Sequence, residues 1–248
     1  MTAIRQPSVS PPQNLPPAGL TLVLGAGGGL GSALVEALQS ANQPVMGLGR
    51  HSQPALDYLQ PASIVQAAAH VQSWCAGRGT FLQQLIVASG YLHGPAALMP
   101  ERRLADIDPA YLQQVFAINT IGPALVMKHF LPLLPRQGRC LAAFVSAKVG
   151  SIGDNALGGW YGYRASKAAL NQLVKTAAIE LTRHNRQSLC VALHPGTVST
   201  ALSQPFAKTA LRVRPPAQAA EELLGVLSRL DEQATGGFYD YQGQNLPW

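Results

Sequence analysis

From Leu20 onward the chain alternates between short apolar runs and longer stretches in which apolar residues recur every three or four positions. Leu20-Thr-Leu-Val-Leu24 predicts a strand buried on both faces. A glycine cluster follows, and Leu30, Leu34, Val35 and Leu38 then repeat at helical spacing. Strands are predicted again at Val45–Leu48, Leu82–Ala88, Cys140–Val145, Leu189–Leu193 and near Phe238. Helices are predicted over residues 61–74, over 108–131 without a break, along Leu170, Leu173, Val174, Ala177 and Leu181, and over 216–230. Strand and helix thus alternate six or seven times. The expectation is an α/β fold, a doubly wound parallel sheet of about seven strands with helices on both faces, because parallel strands need crossover connections. Ligands of such sheets bind beyond the carboxyl ends of the strands, where strand order reverses. Residues 1–18, rich in Pro, Ser and Gln, read as a flexible tail, and 19–248 as one Rossmann-type domain.

Composition narrows the functional classes. Apolar residues make up 47% and charged residues only 12%, which excludes a disordered chain. Residues 6–35 carry no charge, yet prolines and then glycines interrupt them, so no transmembrane span is expected. The net charge of +6 comes from scattered cations. Arg102-Arg103 and Arg183/Arg186 have no interleaved aromatics, and nucleic-acid binding is not expected. Cys75, Cys140 and Cys190 form neither a CxxC nor an even set; they read as reduced core thiols, and no metal site is read. No signal peptide is recognised, and a cytoplasmic protein is the expectation.

The chemistry lies at the ends of the predicted strands. Gly25-Ala-Gly-Gly-Gly29-Leu30-Gly31 joins the first strand to the first helix, so its backbone amides can approach a pyrophosphate at the positive helix end. An acid after the second strand would hold the ribose 2′-hydroxyl of NAD. Gly49-Arg50-His51-Ser52 stands there instead, and a guanidinium forks onto a 2′-phosphate, so NADP (NADPH) is preferred and NAD remains possible. Tyr163 and Lys167, four apart, emerge on one helical face. A lysine beside a phenol is expected to depress its pKa and make it a usable proton donor.

With Val149-Gly-Ser-Ile-Gly-Asp-Asn155, Gly158-Gly-Trp-Tyr-Gly-Tyr-Arg-Ala-Ser-Lys-Ala-Ala-Leu-Asn171 and His194-Pro-Gly-Thr-Val-Ser-Thr200, the chain resembles the short-chain dehydrogenase/reductase family, in its C-factor-like, carbonyl-reductase-like branch. The resemblance covers residues 20–248. It implies an NAD(P)-dependent oxidoreductase acting on a carbonyl or alcohol, with Tyr163 as general acid/base. Lys167 would bind the nicotinamide ribose, and Asn119 would hold a relay water. Ala88, Ser89 and Gly90 would lie against the cofactor ribose, Asp57 would meet the adenine, and Pro195, Gly196, Val198 and Thr200 would contact the carboxamide. A homodimer or homotetramer is also implied.

Three departures stand out. Leu24 replaces a usual threonine, and Val87-Ala88-Ser89-Gly90 replaces Asn-Asn-Ala-Gly. Ala147 occupies the position of the substrate-binding serine, and an alanine donates no hydrogen bond. Ser146 is the candidate substitute, although in a regular strand it points away from the side of Ala147; Ser151 is another. The departures, with the cell–cell signalling association that the C-factor resemblance implies, keep a second reading open: a catalytically weak nucleotide-binding sensor.

Overall fold

The computed structural model describes residues 19–94, 98–206 and 213–248; the tail assigned to residues 1–18 lies outside these residues. The first strand, β1 (Leu20–Leu24), is followed by α1 (Gly29–Ser40), β2 (Val45–Leu48), α2 (Pro61–Ala76) and β3 (Leu82–Val87). Then come α3 (Pro109–Phe116), a π-helical turn (Ala117–Ile121) and α4 (Gly122–Phe130). The chain continues through β4 (Cys140–Val145), α5 (Tyr161–His184), β5 (Ser188–His194), β6 (Thr197–Val198), β7 (Val213–Arg214), α6 (Pro216–Arg229) and β8 (Phe238–Asp240).

Six strands form one sheet in the order β2-β1-β3-β4-β5-β8, every pair parallel, while β6 and β7 pair separately beside it. The main sheet therefore has six strands where the sequence suggested about seven. Alternation along the buried strands divides the core between the two faces. Leu22, Leu24, Leu85, Phe144 and Cys190 face α2, α4 and α5, where Ile64, Val71, Phe130 and Val174 pack. Val23, Ile86, Ala143, Val191 and Leu193 face α1 and α6, where Leu34, Leu38, Leu223 and Leu227 pack. Each of the Val, Leu, Ile and Phe side chains among them contributes roughly 1.5–3 kcal/mol by leaving water. All three cysteines are free and buried.

The predicted helix over 108–131 is not uniform. Asp108 caps α3, accepting from the Tyr111 N–H at 2.9 Å, and Pro109 sits at the first helical position. The ladder then widens into the π turn before α4 resumes. Periodicity reports apolar faces rather than the hydrogen-bond register, so the sequence alone gave a continuous helix. Strand order reverses between β1 and β3, with β2 on one side and β4 on the other. The carboxyl ends of these strands open onto one cleft.

Candidate active site

The cleft has a volume of about 1720 Å³ and runs from the glycine turn to the start of α5. At its first end, Gly25 has φ +87°, a conformation that favours glycine, and a side chain there would meet Ser89 Oγ at 2.7 Å. A side chain on Gly29 would meet Thr200 Cγ2 at 2.9 Å, and one on Gly31 would strike the Gly25 carbonyl. The first turn of α1 has neither a side-chain cap nor an acidic residue, and the cleft reaches it through Gly27, Gly28, Gly29 and Leu30. Open amides at a positive helix end fit an anionic phosphate. Arg50, exposed, and Asp57 line the cleft beyond this turn. Asp57 Oδ1 accepts from the Leu59 N–H at 3.0 Å, so this carboxylate also holds its own turn.

At the other end Tyr163 and Lys167 are both buried on the first turns of α5 and line the cleft. Lys167 Nζ donates to the Val145 carbonyl at 3.0 Å and lies 6.0 Å from the Tyr163 ring centre. Gly150 makes room for this lysine: a side chain there would come within 2.8 Å of Lys167 Cβ. Burial pulls the Lys167 ammonium down to about 8 and pushes the Tyr163 phenol above its ordinary value. The direction for Tyr163 is opposite to that expected from a neighbouring lysine. Desolvation wins, and the phenol is held protonated.

Asn119 lies in the π turn, fully buried. Its Nδ2 donates to the Tyr91 carbonyl at 2.8 Å and to Ser166 Oγ at 3.1 Å, while its Oδ1 accepts from the Tyr91 N–H at 2.8 Å. Thr120 Oγ1 donates to the Ser166 carbonyl at 2.9 Å, tying the same turn to α5. A side chain on Gly90 would come within 3.7 Å of Lys167 Nζ and 3.9 Å of Asn119 Oδ1, so these groups converge on the bare backbone after β3. Ala88, Ser89 and Gly90 line the cleft there. Across it lie Pro195, Gly196 (φ +71°), Val198 and Thr200.

Ser146 is buried, and its Oγ donates to Asn171 Oδ1 on α5 at 2.6 Å. That hydroxyl spends its proton inside the protein. Ser151 Oγ donates to the Trp248 carbonyl at 3.3 Å and accepts from the Asp154 N–H at 3.0 Å, away from the cleft lining. Ala147 packs with Tyr91, Tyr163, Trp160, Leu202 and Phe206, so the end of the cleft beyond Tyr163 is apolar and aromatic. His194 also lines the cleft; its Nδ1 is buried without a partner, and burial lowers its pKa to about 4.

One residue escaped sequence reasoning. Glu101, beside the arginine pair that drew attention for its charge, is buried, and both its carboxylate oxygens accept from the Gly162 N–H at 3.1 Å. It lies in a loop, where no periodicity marks it.

Comparison with known proteins adds lineage to this geometry. Residues 20–210 match the family model described as short chain dehydrogenase. C-signal of Myxococcus xanthus is 36% identical over 145 residues, covering 58% of this chain and 83% of that protein. The 1-hydroxy-2-glutathionyl-2-methyl-3-butene dehydrogenase of a Rhodococcus species is 27% identical over 238 residues, covering 92% and 98%. The NADPH-bound carbonyl reductase from chicken fatty liver superposes with a TM-score of 0.79 at 27% identity, over 94% of this chain and all of that one.

Proposed function

Because the chain belongs to the short-chain dehydrogenase family, we propose that it is an NADP(H)-dependent oxidoreductase that interconverts a carbonyl compound and its alcohol, with Tyr163 as the proton donor. The observation that carries this reading is the convergence of Lys167 and Asn119 on Gly90, with the Tyr163 ring centre 6.0 Å from the Lys167 ammonium, at the far end of the cleft from the open amides of α1. The NADPH and NADP named for the chicken reductase and a Burkholderia multivorans relative agree with Arg50 standing where an acid would favour NAD.

The glycine turn would hold the pyrophosphate, Arg50 the 2′-phosphate, and Lys167 with Gly90 the nicotinamide ribose. Bound there, the dinucleotide supplies the hydride equivalent that reduces the carbonyl carbon. The protein's own part is proton management. Burial keeps the Tyr163 phenol protonated, ready to donate to the developing alkoxide. With its pKa lowered to about 8, Lys167 carries a positive charge at neutral pH that favours the proton leaving Tyr163. Asn119 fixes the Tyr91 backbone and with it the wall of the cleft. The apolar lining from Trp160, Leu202 and Phe206 favours a hydrophobic carbonyl substrate.

A second reading, a sensor that binds nucleotide but turns it over poorly, is favoured by one observation: Ala147 has no donor, and the Ser146 hydroxyl is committed to Asn171. The similarity to C-signal agrees with it. A panel of hydrophobic aldehydes and ketones separates the two. NADPH oxidation above background is expected of the enzyme; tight NADPH binding without turnover across the panel is expected of the sensor.

The family resemblance also implies self-association, and Ile121 and Ile179 on the outer surfaces of the π turn and α5 are more than half exposed. A homodimer or homotetramer by light scattering, broken into smaller species by Ile179→Glu, is the expected outcome.

A further inference from the structure

We propose that Glu101 is a positioning residue, which fixes Tyr163 and Trp160 at the substrate end of the cleft by gripping the start of α5. The effect on turnover rests on the carbonyl-reductase reading above; the effect on Trp160 does not.

Glu101 is only 2% exposed, and among the described residues it forms no ion pair. A buried carboxylate needs compensation. It receives it from the Gly162 N–H, which donates to both oxygens, and from the positive end of the 24-residue helix α5. Gly162 is fitted to this contact, since a side chain there would lie 2.9 Å from Glu101 Oε1. The main-chain carbonyl of Glu101 accepts from the Trp160 N–H at 2.5 Å. One residue therefore holds positions 160 and 162, and Tyr163 follows directly.

Arg164 ties the carbonyls of Gly158 and Gly159, and Glu101 holds the strained residue that follows them. Gly158, Gly159 and Trp160 have φ of +64°, +64° and +53° in succession. A tryptophan in the left-handed region is strained and persists where its surroundings impose it. In that conformation its indole stands edge-on to Phe206 at 5.1 Å and to Tyr163 at 6.1 Å, walling the cleft. Without the Glu101 anchor the turn relaxes, the indole leaves this wall, and the phenol loses its aim.

The test compares Glu101→Ala, which removes the carboxylate that accepts from Gly162 and leaves only the main-chain carbonyl of this residue to hold Trp160, with Glu101→Gln, which keeps a side-chain acceptor and removes the charge. Reduction by NADPH is measured alongside NADPH affinity. Acrylamide quenching of Trp160 is read in a Trp74→Phe, Trp248→Phe background. Misplacement of a reacting group by about 1 Å costs up to about 100-fold, so Glu101→Ala should lose about 10–100-fold in kcat/KM while its NADPH Kd stays within about twofold. Its Trp160 quenching should rise. Glu101→Gln should restore both readouts to near wild type. If Glu101→Ala does not fold, Glu101→Asp, whose shorter side chain withdraws the oxygens from the Gly162 N–H, should give the same pattern. Unchanged kcat/KM and quenching in the variant that loses this contact would overturn the proposal, as would a Gln variant no better than it or a matching loss of NADPH affinity. If the unaltered protein reduces no carbonyl, the reductase reading fails, and quenching alone decides whether Glu101 holds Trp160.

Discussion

The Lys167 ammonium lies 6.0 Å from the centre of the Tyr163 ring and donates to the Val145 carbonyl at the end of β4, so the sheet itself fixes the charge one helical turn from the phenol. The two groups are shifted by the same cause in opposite directions: burial disfavours the ammonium and the phenolate alike. At neutral pH the pair holds one charge and one transferable proton.

Two consequences for activity follow from that pairing. Tyr163→Phe removes the proposed proton donor while keeping the ring, and the reduction rate should fall by about 10²–10⁴ with NADPH affinity changed little, as titrated by cofactor fluorescence. In the unaltered protein, kcat/KM for reduction should hold below pH 8 and fall above it as Lys167 loses its proton.

Position 147 tests the meaning of the missing serine. Ser146→Ala should leave kcat/KM within a few-fold, because the Ser146 hydroxyl serves Asn171, but lower the melting temperature by leaving that buried amide oxygen unpaired, a loss of about 1–3 kcal/mol. Ala147→Ser restores a donor beside Tyr163 and should raise kcat/KM by about tenfold or more. A serine at 147 without effect would show that another group binds the substrate oxygen.

Arg50 tests the cofactor assignment. Arg50→Asp removes the proposed charge-assisted contact and places an acid where a 2′-phosphate would sit. NADPH affinity should fall by about 10–100-fold, and NADH affinity should hold or rise. Equal losses for both would place the preference elsewhere.

Stability should respond to pH through two bases, the half-buried His194 and the buried Lys167. His194 titrates near 4 when folded against an ordinary 6.5, so below 6.5 the unfolded chain takes the proton first and stability falls until pH 4. At roughly 1.4 kcal/mol per unit the loss has an upper bound of about 3.5 kcal/mol, reduced by the solvent that reaches this half-buried side chain. Lys167 titrates near 8 against 10.5, so between these values the folded protein sheds its proton first and this residue makes stability rise with pH. Denaturant melts across pH 4–7 should flatten in His194→Gln.

The architecture was legible because its central strands are buried on both faces. Cys140–Val145 has the bounds that its apolar run predicted, as does the partly buried edge strand Val45–Leu48, and α6 ends one residue before the predicted limit. Tyr163 and Lys167 were legible because helical spacing brings them together whatever the tertiary context. The π turn was not, since five residues of Ala117–Ile121 differ from α-helix only in hydrogen-bond register. Glu101 was not, because its partner lies 61 positions away. The sign of the Tyr163 shift was also missed: a neighbouring lysine can be read from spacing, but burial is a property of the assembled core.

The most direct test of the account is single-turnover oxidation of bound NADPH by a hydrophobic ketone, in the unaltered protein and in Tyr163→Phe. The account predicts loss of the NADPH absorbance in the first, at a rate at least about 100-fold above the second, with both proteins saturated in cofactor. Equal rates in the two proteins, or no oxidation in either, would contradict it.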